Sequence, residues 1–160
     1  MLRRNFTFFG LAAKQFDVCV IGGGPAGVAA ALRAEQYGRK VCLIERGQIG
    51  GADLFDGALQ SKTMWEMAKF YDRIRTFGSS MYEDGCLENL EVDETLLREG
   101  MVEAAMTRQG QITAALNESG VEIIRGVGEF QSPHLIHVHP AKGAPEAPPQ
   151  PVNADYFVIA

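Results

Sequence analysis

The residues best placed to do chemistry are three glycines and an acid. Gly22, Gly24 and Gly27 lie in IGGGPAG at 21–27, a G-x-G-x-x-G spacing that runs into an alanine-rich stretch. In such a loop the first glycine makes a tight turn out of a strand. The second lets a ligand approach the backbone, and the third lets a helix pack closely on that strand. Pro25 and Ala26 then open a helix whose free N–H groups face an anion, and a pyrophosphate suits this spacing. Glu45 follows 23 positions after Gly22, where a carboxylate can accept hydrogen bonds from ribose hydroxyls, and Arg46 stands beside it. These residues bind; none of them is a nucleophile or a metal ligand set.

Other reactive types are scattered. His134, His137 and His139 form H-x-x-H-x-H, but no Cys or carboxylate cluster joins them, so they read as a solvated strand face and not as a metal site. Cys19, Cys42 and Cys86 are too far apart for a disulfide framework and suit a reducing compartment. The first two fall inside apolar runs and read as core.

The elements that must position the glycine loop are legible around it. Residues 16–22, FDVCVIG, form a short buried strand, and 26–37 a helix stopped by Gly38. Residues 40–45, KVCLIE, form a second strand, completing a βαβ unit. A loop is expected over 46–60, an amphipathic helix over 61–75, and an irregular polar stretch over 77–89. A long helix is expected over 94–118, weakened or kinked at Gly110. From Val121 the period turns to two, giving strands in VEIIRGVGEF, 134–139 and 152–160. The connection 140–151, with five of the seven prolines, is expected to be exposed.

Bulk properties bound the partners. The 160 residues carry 46% apolar and 22% charged side chains, enough for one cored domain. A net charge of -5 without a basic stripe argues against nucleic acid. The longest uncharged run, 18–32, is fifteen residues with four glycines, too short and glycine-rich to span a membrane. Residues 1–15 hold Arg3, Arg4 and Lys14 with no acid, a composition read as a mitochondrial import segment preceding a domain at 16–160.

The stretch from FDVCVIGGGPAG through IERGQIGGADLFDGALQSK, continued in EIIRGVGEF and ADYFVIA, resembles the N-terminal part of the pyridine nucleotide-disulfide oxidoreductases. That family includes dihydrolipoamide dehydrogenase and soluble pyridine nucleotide transhydrogenase. The resemblance implies an α/β fold: a Rossmann-type FAD-binding domain starting with a βαβ unit, plus a small antiparallel β-meander. It implies FAD as cofactor, with Gly51, Ala52 and Lys62 on the flavin side. Val127 would meet the adenine through its backbone, and Ala160 would lie in the strand that leads to the family's Ala-Thr-Gly segment. NAD(P)H is expected only from a downstream domain, and a homodimer only from the family's C-terminal part. The chain thus reads as a truncated member.

One departure from the family pattern changes the chemistry. Laid on the family's active-site segment, this chain places Asp53 and Ala58 at the two redox-cysteine positions. Thiol–disulfide exchange needs a thiolate and a partner sulfur, so disulfide reduction is excluded at this site. The expectation is direct electron exchange between NAD(P)H and another acceptor through flavin. The alternative is a catalytically degenerate subunit with a structural or assembly role in a mitochondrial complex.

Overall fold

A computed structural model describes residues 13–81 and 91–160, and they divide into two compact units. The first unit takes in residues up to 49 together with 115–160; the second is 50–114.

The first unit is built on one six-stranded sheet. Its strands are β1 (Lys14–Ile21), β2 (Val41–Glu45), β3 (Glu122–Arg125), β4 (Val127–Ser132), β5 (Leu135–His139) and β6 (Gln150–Ile159), in the spatial order β3-β2-β1-β6-β5-β4. The four strands β3, β2, β1 and β6 are mutually parallel, while β5 and β4 continue antiparallel from β6. The expected meander is therefore not a separate layer in connectivity; it extends the sheet through β6, the strand it shares with the parallel half. The helix α1 (Pro25–Gln36) joins β1 to β2 and packs against both.

Burial explains why β2 is a continuous apolar run. Val41, Cys42, Leu43 and Ile44 are all buried, as a central parallel strand covered on both faces requires. Alternate residues point to opposite faces. Cys42 and Ile44 join Cys19 and Ile124 in a cluster that receives Ile136 and Val138 of β5 and Val152 of β6. Val41 and Leu43 alternate with them and point to the opposite face. Cys19 and Cys42 are register partners on β1 and β2, fully buried and free, as the core reading holds.

β1 begins at Lys14, before its apolar run, because Lys14 and Gln15 pair with Val152 and Asn153 of β6. Lys14 also reaches Glu122 of β3, with Nζ 2.5 Å from the carboxylate. Residues 1–12, and with them most of the segment read as an import signal, lie outside the described residues.

The second unit is helical. The stretch expected as loop contains α2 (Gly51–Phe55) and the first turn of α3 (Ala58–Met81), which also runs on past Arg75. The glycines at 47, 50, 51 and 57 read as punctuation, but Leu54 packs against Gly50 and gives the short turn an apolar anchor. Beyond Arg75, Phe77 continues the apolar spacing from Ile74. An established helix absorbs Gly78 and two serines at about 1 kcal/mol or less each. α4 (Glu94–Glu118), of which residues 94–114 belong to this unit, is continuous through Gly110, where a side chain would meet only open space. Asp93 caps its start, accepting the backbone N–H groups of Thr95 at 2.8 Å and Leu96 at 3.2 Å. Residues 77–81 of the stretch expected as irregular continue α3 instead, and the rest of it, with Cys86, lies outside the described residues.

Candidate functional site

The glycine loop leaves the C-terminal end of β1 and enters α1, as its spacing requires. Its three glycines have three different reasons to lack a side chain. Gly22 has φ 108°, a conformation that disfavours a Cβ, and a Cβ there would also collide with the Ala160 carbonyl. A Cβ on Gly27 would collide with the Gly22 carbonyl, so this residue sets the closeness of helix and strand. Gly24 differs. It has φ -72° and ψ -177°, open to any residue, and a Cβ on it would meet nothing within 4 Å.

Nothing among the described residues therefore asks for glycine at position 24. It is also the N-cap of α1, and no side chain caps that helix; Pro25 follows in its first turn, which holds no acid. The positive end of a twelve-residue helix thus faces open space across a backbone stripped of its side chain. A phosphate group fits that environment in both shape and charge.

Glu45 closes the other side, at the end of β2. Its Oε2 accepts the Gly23 N–H at 2.5 Å and its Oε1 accepts the Gly47 N–H at 2.6 Å. An ionised carboxylate has about four acceptor positions, so the carboxylate is oriented by the backbone and keeps capacity for a ligand's hydroxyls. The Glu45 carbonyl accepts the Gly126 N–H at 2.9 Å, which brings the start of β4 and Val127 to the same sheet end. Ala160 donates its N–H to the Ile21 carbonyl at 2.9 Å, placing the end of β6 against the loop.

The first unit thus brings together Gly22, Gly24, Pro25, Ala26, Gly27, Glu45, Val127 and Ala160, with Arg46 exposed beside Glu45. Gly51, Ala52 and Asp53 lie in α2, Ala58 opens α3, and Lys62 stands one turn further along it; all five belong to the second unit. Asp53 is exposed in the first turn of α2. Within that unit Lys62 lines a groove of about 820 Å³ with Met67, Phe70 and Leu96. Sequence reasoning missed Gly23, Gly47 and Arg125, whose Nη1 donates to the Gly47 carbonyl at 2.6 Å. Gly47, two residues past Glu45, was the available signal.

The remaining candidates do not form sites. His139 Nε2 lies 3.0 Å from Glu129 on the neighbouring strand, and no group of three metal-ligating side chains occurs among the described residues. The Cys42 thiol is pushed far up from its ordinary range by its hydrogen bond to Cys19 and by burial. Such a thiol stays protonated and unreactive. No helix among the described residues is long and apolar enough to cross a membrane.

Strand, glycine turn, helix and a parallel strand ending in an acid define a Rossmann-type unit. The family is then identified by similarity. Residues 16–160 match the model of the pyridine nucleotide-disulphide oxidoreductases, and the chain belongs to that family. It is 29% identical over 147 residues to a mitochondrial dihydrolipoyl dehydrogenase of Schizosaccharomyces pombe, covering 91% of this chain and 28% of the relative. It is 31% identical over 154 residues to a glutathione reductase of the same yeast, covering 92% and 31%. A bacterial relative, the dihydrolipoyl dehydrogenase of Acholeplasma laidlawii, is 28% identical over 130 residues, covering 79% and 37%. The fold is similar to that of a flavoprotein disulfide reductase of Escherichia coli solved as a Cu(II) complex. The TM-score is 0.70 at 20% identity, over 92% of this chain and 28% of that one. The chain spans about a third of the length of the relatives it matches.

Proposed function

We propose that this chain is the FAD-binding portion of a flavoprotein oxidoreductase that exchanges electrons between NAD(P)H and an acceptor without a redox disulfide. The observation that carries FAD binding is Gly24: a glycine that none of the described residues requires, at the uncapped start of α1. In this reading the backbone from Gly22 to Gly27 holds the cofactor's pyrophosphate, and the carboxylate of Glu45 accepts the ribose hydroxyls. Val127 is the adenine neighbour, and Gly51, Ala52 and Lys62 face the flavin. When bound, the flavin supplies hydride acceptance and electron release, chemistry that no side chain of this chain provides.

The absence of disulfide chemistry rests on Asp53 and Ala58 at the positions of the family's two cysteines. The same observation favours a second reading, a degenerate subunit that keeps the fold for a structural or assembly role in a mitochondrial complex. Mitochondrial placement is supported by the acid-free composition of residues 1–15 and by the name of the yeast relative. A homodimer is the proposal for the full protein.

Colour separates the two readings. Purified full-length natural protein should be yellow, with flavin absorbance near one per chain, and NAD(P)H should bleach it anaerobically. Colourless protein that cannot be reconstituted with FAD refutes the first reading and supports the second. Yellow protein that NAD(P)H leaves unbleached removes the oxidoreductase and keeps only the cofactor.

A further inference from the structure

We infer that Arg125 is the residue that positions Glu45 for a ribose diol, acting through the Gly47 peptide. This rests on the proposed reading of Glu45 as the ribose ligand. Arg125 ends β3 and is the direct register partner of Glu45 on β2, so the two side chains start on the same face of neighbouring parallel strands. An ion pair between them would be the obvious outcome. Among the described residues no such pair forms; the guanidinium passes over to the Gly47 carbonyl at 2.6 Å.

The consequence falls on the carboxylate. Glu45 is held at both oxygens, by Gly23 N–H on one side and Gly47 N–H on the other. Gly23 is fixed, because it follows the strand-ending turn at Gly22. Gly47 lies in the exposed turn after β2, which has no helix or strand to hold it. The buried Ile49 anchors the far end of this turn, and the Arg125 hydrogen bond, reaching across 78 residues of sequence, ties the Gly47 carbonyl itself to the sheet. A single residue, Gly47, therefore receives Arg125 at its carbonyl and serves Glu45 at its amide. Had Arg125 paired with Glu45 directly, it would have occupied the acceptor positions that a diol needs. By gripping the turn it fixes the carboxylate and leaves those positions free.

The test compares ADP with 2′,3′-dideoxy-ADP as ligands of the full-length natural protein stripped of its flavin, using equilibrium titration. Wild type should bind ADP about tenfold more tightly, the discrimination that one hydrogen bond to a charged acceptor provides at the low end of its range. In Arg125→Met the ratio should fall to about twofold or threefold through loss of ADP affinity, with dideoxy-ADP affinity unchanged. Arg125→Lys, which retains a cation able to reach a carbonyl, should restore much of the ratio. Arg125→Leu provides the same comparison if the methionine variant does not fold.

A different result overturns the inference in an identifiable way. If Arg125 touched phosphate directly, both ligands would weaken equally and the ratio would stay near tenfold. A variant ratio equal to wild type likewise refutes positioning while leaving the FAD reading intact. A wild type that binds both ligands equally removes the ribose role of Glu45, and the inference with it. A wild type that binds neither refutes the FAD reading itself.

Discussion

Replacing the loop glycines one at a time by alanine should separate residues that the fold needs from one that only a ligand needs. In Gly27→Ala the new methyl meets the Gly22 carbonyl, a backbone atom that cannot turn aside. The forced separation of α1 from β1 should cost about 3 kcal/mol or more of apoprotein stability. Gly22→Ala combines strain at φ 108° with a collision against the Ala160 carbonyl, and should cost about 2–5 kcal/mol. At Gly24 the methyl enters open space from an allowed conformation. A few tenths lost at the helix cap are offset by about 0.4–1 kcal/mol gained from a less flexible unfolded chain. Gly24→Ala apoprotein should thus stay within about 1 kcal/mol of wild type. Its FAD affinity should fall roughly 5- to 150-fold, the equivalent of about 1–3 kcal/mol of steric cost against the phosphate. Urea unfolding of the flavin-free full-length natural protein, paired with flavin-fluorescence titration, measures both quantities. The reasoning fails if Gly24→Ala destabilises the apoprotein as much as Gly27→Ala, or if it binds FAD as wild type does.

Three further outcomes are expected. Cys19 and Cys42 should resist thiol reagents until denaturant is added. Because the folded Cys42 stays protonated while the unfolded thiol ionises above about pH 8.5, its contribution is complete below that pH and lost above it, by up to about 1.4 kcal/mol per pH unit. Cys42→Ala should remove that part of the slope in urea midpoints taken from pH 7 to 10, and an unchanged slope contradicts the assignment. Ile136→Ala, at a fully buried position in the cluster with Cys42 and Ile44, should cost about 2–5 kcal/mol by the same assay; no loss would deny that β5 completes the core. If Asp53 lies against the flavin in the full protein, its charge disfavours an anionic reduced flavin. Asp53→Asn should then raise the midpoint potential by about 20–40 mV, and an unchanged midpoint sinks the idea.

The βαβ start was legible because each of its signals is local. An apolar run closing on Gly22, Pro25 at the head of an alanine-rich helix, Gly38 as its stop and Glu45 at the next strand end all lie within thirty residues. The second unit was less legible. α2 hid among glycines because its apolar anchor is the single Leu54, and α3 outran its expected end because stop signals are weak once a helix is established. Strand order was beyond reach for a different reason. That β6 lies beside β1, 138 residues away at Lys14↔Val152, depends on long-range pairing that no local period encodes. The orientation of Glu45 was hidden likewise, since Gly23, Gly47 and Arg125 come from three separate segments.

The pairing of β6 with β1 also sets a timetable. The loop at 21–27 emerges early in synthesis, yet Gly22 reaches its final surroundings only when Ala160 has bonded to Ile21. A loop legible from seven local residues thus owes its finished shape to a strand end made 138 residues later, so a ligand of that loop would meet its complete surroundings only in chains whose β6 has paired with β1.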